Sequence, residues 1–469
     1  MIDMISDLDT DFVLREAELL GASYADVRVN ISLAETVVSE NGELREFSSS
    51  VRRGVGVRVV VDGYQGYAST SRLDRESIKE VVRRAVEIAR SIKGKGEVIE
   101  IPEAPTVEDK AVAVGKVNPF EVDPKDKVDL VTELSKLALD VEGVKSTLTR
   151  YGALRDYRLY ASTSGSKIEV IVDLVGLGHM SVAGEAGQLE RVSDSKSSVA
   201  GYEFIRSLNW EEFVLDISKL AAQVCRAEFP PAGTYTVILD PDVVGLLLHE
   251  AFGHASEGDL VEAGTSVLAG KLGDRVASEY VTIVDEGVVE GGYFIPYDDE
   301  GVRKEKTVVV DGGILKSYLT SRRIAAKLGL ELTGNGRAQD YASAPIVRQT
   351  NYYMLPRDYT LEEIMEDVRR GLYVTGKGAM GGEVNPGAGT FTFSVGVSWR
   401  IKGGEKGEIV RGVTLSGNIL DVLKSVDAVG RDLIIRTSVF GGCGKDGQTV
   451  KVGLGGPHVR VRKIVVGGR

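Results

Sequence analysis

The sequence predicts an α+β protein of two domains, an α/β N-terminal domain of twisted hairpins and helices (residues 1–229) and a β-rich C-terminal domain (residues 230–469). Three observations support this prediction. Hairpin and helix patterns alternate through the first half, and glycine-rich strand patterns dominate the second half. Between them, the paired prolines of "EFPPAG" (Glu228 to Gly233) end a helix and mark a boundary.

The first group of elements in the N-terminal half begins with an amphipathic helix from Asp9 to Gly21. The stretch "YADVRVNISLAETVVSENGELREFSSS" then alternates apolar and polar residues on either side of an "ENGE" turn, which predicts a hairpin. Two more short strands are expected around Asp62 and Gly63, and a helix is expected in "RESIKEVVRRAVEIARSIK".

A second group of elements repeats this order. A helix in "KDKVDLVTELSKLALDV" precedes strands over residues 145–203 and a helix over residues 210–228. Because hairpins followed by a helix occur twice, the sequence suggests an internal duplication. In the C-terminal half, strands are expected over residues 281–316 and 390–466, and helices over residues 321–328, 361–372 and 419–429.

Composition narrows the class of partner. The chain carries 57 Lys and Arg against 69 Asp and Glu, a formal net charge of -12, which argues against nucleic acid or an anionic membrane surface. No apolar run approaches the ~20 residues that span a bilayer. The N-terminal segment is acidic rather than basic, and only two cysteines are present. We therefore expect a cytoplasmic protein without nucleic-acid or membrane partners.

Two of the four histidines occur in one apolar segment, "LLLHEAFGHASEGD". A helix should begin just before it, with Asp240 as N-cap and Pro241 at the first helical position. The following residues leave little polar face, so the helix should be buried. Burying His249, Glu250 and His254 is costly unless these side chains are paired, hydrogen-bonded or bound to a metal.

The spacing of these histidines differs from that of the zinc-protease motif HExxH, whose histidines lie about 40° apart on one helical face. In HExxxH, a regular α-helix would place His254 about 140° from His249. Both can reach one ion only if the helix ends or widens between them. Gly253 permits a terminating turn, and a π-bulge would also serve. The alternative is a buried His–Glu pair with no metal.

A catalytic zinc site needs three protein ligands and an open position. Candidates for the third ligand are Glu257, Asp259, His179, His458 and the two cysteines. Cys225 lies on an apolar stripe and is expected in the core, whereas Cys443 lies in "FGGCGKDGQ", where glycines leave its thiol approachable. Two histidines with one cysteine form a known catalytic set.

The remaining candidates have structural interpretations. We expect His179 and His458 to be structural, and Glu257 and Asp259 to orient ligand imidazoles or cap the loop. Glu250 then has a defined role, because a carboxylate beside a metal-bound water can act as general base and later as general acid.

Four segments resemble the TldD/PmbA family of zinc metallopeptidases: "HEAFGHASEGD", "GNGRAQDYASAPIVRQTNYYMLP", "GGEVNPGAGTFTFSVG" and "GGCGKDGQTVKVGLGGPHVRV". The chain is similar to the metal-bearing TldD branch, because the partner branch lacks the HExxxH residues. The resemblance implies that His249, His254 and Cys443 hold zinc in the C-terminal domain and that Glu250 is catalytic.

The resemblance also implies a dimer that encloses the active sites, either a homodimer or a heterodimer with a metal-free paralogue. Peptides or unfolded segments would bind there as an added strand. Arg348, Thr350 and Asn351, in "RQTNYYMLP", are predicted to bind substrate or support the site; the alternative is that they satisfy a loop.

The function predicted from the sequence is therefore hydrolysis of short or unfolded peptides by metal-activated water with Glu250 as general base. Two alternatives stay open. One is a zinc amidohydrolase acting on a small molecule. The other is a non-catalytic peptide-binding or modulating subunit with a structural metal, which has no need of Glu250.

Overall fold

The computed structural model describes residues 9–185 and 187–468. Its helices are α1 (Thr10–Leu19), α2 (Arg75–Ser91), α3 (Pro124–Leu139), α4 (Glu203–Ser207), α5 (Trp210–Cys225), α6 (Pro241–Leu247), α7 (Gly258–Glu262), α8 (Arg322–Leu328), α9 (Leu361–Glu366) and α10 (Ile419–Lys424).

The strands of the N-terminal half are β1 (Tyr24–Glu40), β2 (Glu43–Val61), β3 (Tyr64–Thr70), β4 (Glu108–Ala113), β5 (Val144–Ser162), β6 (Lys167–Glu185) and β7 (Gln188–Ser198). The strands of the C-terminal half are β8 (Gly233–Leu239), β9 (Ile283–Glu286), β10 (Thr307–Asp311), β11 (Ile314–Leu315), β12 (Gly336–Arg337), β13 (Ile346–Val347), β14 (Asn351–Met354), β15 (Arg370–Val374), β16 (Gly381–Asn385), β17 (Thr390–Ser394), β18 (Ser398–Lys402), β19 (Glu405–Val410), β20 (Val413–Asn418), β21 (Val426–Val429), β22 (Ile434–Thr437), β23 (Cys443–Lys445), β24 (Gln448–Val450), β25 (Gly453–Gly456) and β26 (Val459–Gly468).

The N-terminal half is built on a seven-stranded sheet of order β3-β2-β1-β5-β6-β4, with β7 also paired to β6. The predicted hairpin is confirmed, since β1 pairs antiparallel with β2. Asn41 and Gly42 form its turn at φ 52° and 78°. Asp62 and Gly63 form the next turn at φ 52° and 84°, and two successive positive φ angles are typical of the tight turns that suit strand twist.

The arrangement of helix, three strands and helix occurs twice in this sheet. α1 and α2 accompany β1–β3, whereas α3 and α5 accompany β5–β7, and β1 pairs with β5 at the centre. Each of these two repeated units has its own apolar core. One core contains Val29 and Val82, and the other contains Leu177 and Ile217. The repeated order of hairpins and helix predicted from the sequence is therefore present.

The C-terminal half contains a nine-stranded sheet, of order β16-β17-β20-β26-β8-β15-β18-β19 with β21 paired to β26, and a six-stranded sheet of order β11-β10-β9-β14-β25-β22. α6 packs against β25, β14 and β8, and its apolar residues belong to one large core that also contains residues of both sheets. The predicted burial of this helix is confirmed. The α+β class and the β-rich second half are confirmed as well.

Two predicted helices are wrong in extent. The segment 361–372 is helical only to Glu366, and its end belongs to β15, which pairs with β8 and β18. The segment 419–429 is helical only to Lys424 and continues as β21 beside β26. In both segments strand pairing with distant parts of the chain overrides the local helical pattern. Among the described residues, no helix is both long and apolar enough to cross a membrane.

Candidate metal centre

The histidine segment is a helix that widens at the predicted place. The Asp240 carboxylate accepts a hydrogen bond from the Val243 amide at 2.8 Å and starts α6, with Pro241 in the first turn. The chain then forms a π-helical turn (Leu248–Gly253) and a 3₁₀ turn (His254–Ser256). The His254 amide donates to the His249 carbonyl, five residues back. The predicted widening between the two histidines is therefore confirmed.

Gly253 allows a close contact with the side chain of Gln349 in this turn. A Cβ atom at Gly253 would lie 2.1 Å from Gln349 Oε1. The same amide side chain donates through Nε2 to the His249 carbonyl at 3.0 Å, so Gln349 packs on the turn and satisfies its backbone. Any larger residue at position 253 would displace Gln349.

Three side chains converge beside this turn. Ligand atoms of His249, His254 and Cys443 all lie within 4.8 Å of one another, and all three residues are buried. Cys443 Sγ is 3.4 Å from His254 Nε2, and the two imidazole rings have centroids 5.2 Å apart. Within the described part of the chain, the buried His249 Nδ1 has no hydrogen-bond partner. Two imidazoles and a thiol are ligands that zinc prefers, so the residues fit a three-ligand zinc site.

A buried chain of charges supports His254. Glu257 Oε2 lies 3.0 Å from His254 Nδ1 and 2.9 Å from Lys445 Nζ. Lys445 also donates to Asp259 at 2.7 Å and to the Val347 carbonyl at 3.0 Å. Glu257 therefore contacts an imidazole, as predicted, whereas Asp259 reaches it only through Lys445. Such a partner fixes the ring orientation and the ring nitrogen that faces the metal.

The charges of this cluster shift the pKa values of its members. Burial lowers the pKa of His254, but the Glu257 carboxylate and the neighbouring thiol outweigh it and raise the pKa to about 11. Burial raises the pKa of Cys443, but the two histidines outweigh it and lower the pKa to about 4. The lowered pKa favours the thiolate form of Cys443, which is the form that binds zinc.

Glu250 lies next to the three converging side chains and is partly exposed. Its side chain is 37% exposed, and Oε2 lies 4.0 Å from His254 Nε2. A partly exposed carboxylate at this position can exchange protons with a water or a substrate that approaches the three ligands.

Three family descriptions match the chain in order. They are PmbA/TldA metallopeptidase domain 1 over residues 25–89, the central domain over residues 117–226 and the C-terminal domain over residues 232–468. The chain belongs to the PmbA/TldD family of metallopeptidases. The family resemblance seen in the sequence is confirmed. The first two matches fall on the two repeated units of the N-terminal sheet, and the domain boundary at residues 229 and 230 remains a proposal.

Relatives within the PmbA/TldD family carry metalloprotease names. A "Metalloprotease" from Methanothermobacter thermautotrophicus is 37% identical over 98% of this chain and 100% of its own length. A "Zinc metalloprotease TldD homolog" from Saccharolobus solfataricus is 31% identical over 97% of this chain and 99% of its own. A crystal structure of TldE from Thermococcus kodakarensis shares the fold, with a TM-score of 0.80, 19% identity, and coverage of 98% of this chain and 99% of that chain.

The residues predicted to bind substrate in this PmbA/TldD protein are fully buried. Arg348 donates to the Cys443 carbonyl and, at 3.2 Å, to the Gln448 carbonyl, so it holds the β23–β24 hairpin. Thr350 bonds to Asp285 at 2.9 Å, and Asn351 bonds to the Glu286 carbonyl at 2.8 Å. These contacts favour support of the site and its loops over direct contact with substrate.

The other candidate ligands lie in structural environments. His458 bonds to Asp432 at 2.7 Å and to the Tyr373 hydroxyl at 3.1 Å. Cys225 is buried in the second N-terminal core, as its apolar stripe predicts. Two residues of the site, Gln349 and Lys445, were not predicted from the sequence. A signal existed for Lys445, because residues two apart on a strand share a face and Lys445 follows Cys443 by two.

His179 gives a prediction about stability. It lies in β6, where Thr149 and Ser181 hydroxyls contact its two ring nitrogens at 2.8 Å each. Burial lowers its pKa to about 4, against about 6.5 in an unfolded chain. The neutral ring therefore contributes stability that is complete above pH about 6.5 and is lost as the pH falls towards about 4, a loss of about 3 kcal/mol.

The measurement for His179 is denaturant unfolding at neutral and mildly acidic pH. We expect the His179→Gln variant to lose less unfolding free energy on acidification than the wild type does. Both proteins retain the metal-site histidines, so the contribution of those histidines cancels when the two losses of unfolding free energy are subtracted. Equal losses in the two proteins would contradict the prediction.

Proposed function

We propose that this protein is a zinc-dependent peptidase that hydrolyses short or unfolded peptides with Glu250 as general base. The observation that carries the proposal is the convergence of His249, His254 and Cys443 beside a partly exposed Glu250. Membership of a metallopeptidase family supports the reaction class, and the zinc metalloprotease name of the Saccharolobus solfataricus relative supports zinc.

The three ligands would hold the ion and leave one position for water or substrate. Zinc in such a site supplies a Lewis acid, which lowers the pKa of water and polarises a carbonyl. In this proposal Glu250 would accept a proton from the attacking water at Oε2 and deliver it to the leaving amine. Glu257 holds His254 in the orientation that directs Nε2 towards Cys443.

A peptide could bind as an added strand at β16. This strand is at one end of the nine-stranded sheet, and it lies against the π-helical turn that carries Glu250. A free strand edge offers main-chain hydrogen bonds to any peptide sequence, which suits broad peptide turnover.

We include in the proposal a dimer, either of two copies or with a metal-free paralogue; the shared fold of TldE supports the second. A cytoplasmic location is also part of it, and both cysteines are free thiols.

The experiment that tests the proposal measures zinc content and peptide turnover together. We expect about one zinc per chain in the purified protein, as one three-ligand site implies. Partial removal with a chelator should lower turnover of an unstructured peptide in proportion to the zinc lost, and added zinc should restore it. Turnover that stays constant while zinc is removed would overturn the proposal. A small-molecule amidase activity without peptide turnover would favour the amidohydrolase alternative.

A further inference from the structure

The segment that leads into Cys443 packs against the other half of the chain. We call residues 438–442 the 438–442 loop. Within it, the Val439 amide donates to Ser197 Oγ on β7 at 3.2 Å. The Val439 side chain packs against an apolar cluster that includes Val172 and Leu174 of β6. A ligand of the candidate metal centre is therefore attached to the N-terminal sheet by its preceding loop.

Phe440 occupies a place on this sheet where side chains are missing. A Cβ atom at Gly152 of β5 would lie 3.0 Å from Phe440 Cε1 and 3.0 Å from Val439 Cγ1. A Cβ atom at Gly178 of β6 would lie 3.4 Å from Phe440 Cε2. Arg150 covers the ring, with its guanidinium carbon 4.1 Å from the ring centroid. The ring fits because two glycines lie beneath it and a cation stacks on it.

Lys451 closes the 438–442 loop from the C-terminal side. Its ammonium donates to the carbonyl oxygens of Ser438, Val439 and Gly441 at 3.1, 2.7 and 2.7 Å. Lys451 directly follows β24, which pairs with β23, and Cys443 lies opposite Val450 in that pairing. The loop is thus fixed at one side by the N-terminal sheet and at the other by the hairpin that contains Cys443.

We propose that the N-terminal sheet is a positioning surface for the metal ligand Cys443, with Phe440 seated over Gly152 and Gly178 as the contact that transmits its position. The inference rests on the proposed function in one respect, that Cys443 binds the metal. Phe440, Gly152 and Lys451 are positioning residues in this inference. They are not among the three ligands and act on Cys443 through the 438–442 loop. Coupling of this kind is reciprocal, so metal binding would in turn strengthen the contact between the two halves.

The test uses Gly152→Ala and Phe440→Ala in the full-length protein. Zinc affinity is measured by competition with a chromophoric chelator, and the thiolate-to-cobalt charge-transfer absorption of the cobalt-substituted protein reports the bond to Cys443. We expect zinc affinity to fall about 10- to 100-fold in each variant, as for other residues that orient ligands. The cobalt absorption should weaken, while thermal unfolding of the metal-free protein shows that the fold is retained.

Two comparisons make the result specific. The double variant should bind zinc no more weakly than the weaker single variant, because both changes act on one contact. Phe47→Ala removes the same ring from β2 of the same sheet, where Phe47 is 40% exposed, and should leave zinc affinity unchanged. If Gly152→Ala does not fold, Phe440→Ala alone decides.

Failure of this inference is distinguishable from failure of the proposed function. Wild-type zinc affinity and cobalt absorption in both variants, together with loss of zinc in Cys443→Ala, would overturn the positioning role and leave the ligand set intact. Retention of zinc in Cys443→Ala would overturn the ligand set and this inference together.

Discussion

The Glu250→Gln variant should bind zinc normally and lose peptide turnover by about 100- to 10,000-fold, the range expected when a general base is removed. Glutamine keeps the size of the side chain, and Glu250 is not one of the three converging ligands. Its amide cannot accept the proton that the carboxylate takes at Oε2. The loss should appear in kcat more than in KM, because the proton transfer takes place in the transition state.

Glu262→Gln is a matched control for Glu250→Gln. Glu262 lies at the end of α7, soon after the site, and its partly exposed carboxylate pairs with Lys327 at 2.6 Å. The same chemical change there should leave turnover unchanged. Normal zinc content with undiminished turnover in Glu250→Gln would contradict the peptidase mechanism and would support a non-catalytic subunit with a structural metal.

The Lys445→Met variant should lose about 3–5 kcal/mol of unfolding free energy, because it leaves buried charge without a partner. Lys445 is 8% exposed and lies between Glu257, which is fully buried, and Asp259. Methionine keeps an unbranched side chain of similar length, one atom shorter, but lacks the ammonium. The variant should also bind zinc about 10- to 100-fold more weakly, because Glu257 would no longer be held against His254.

Denaturant unfolding and chelator competition measure the two effects of Lys445→Met separately. Lys93→Met is the matched control, since Lys93 pairs with Asp62 at 2.7 Å but both side chains are exposed. Exposed pairs contribute little to stability, so this control should unfold like the wild type. Equal stability of the Lys445 and Lys93 variants would show that the buried chain of charges does not stabilise the site.

The sequence predicts the centre of the site because its signals are local. The apolar surroundings of His249 and His254, the N-cap at Asp240 and the position of Gly253 all lie within one segment, which the structure winds into a π-helical turn. Gln349 could not be predicted in the same way. Its role depends on a contact with the turn across 100 residues of sequence, and neighbouring Arg348 has the more conspicuous chemistry.

The fold is predictable from the sequence to a similar degree, and the predictions that are wrong fail for a similar reason. Turn residues such as Asn41 and Gly42 fix the hairpins, because the backbone conformation they adopt is unfavourable for most other residues. The ends of α9 and α10 are mispredicted because β15 and β21 pair with strands far away in the chain. The seat of Phe440 on Gly152 is likewise invisible in the sequence, since nothing local links residue 440 to residue 152.

The π-helical turn affects how such sites can be recognised from a sequence motif. Two histidines five residues apart can take the same spatial arrangement as two histidines four residues apart, when the helical turn between the first pair contains one extra residue. The extra residue is equivalent to an insertion that the helix absorbs locally, without rotating the segment that follows. A motif search that requires a fixed number of residues between the two histidines therefore places proteins with the same kind of site in different classes. A search that counts helical turns places them in one class. Deleting one residue between His249 and His254 would test how much of the site depends on that spare residue.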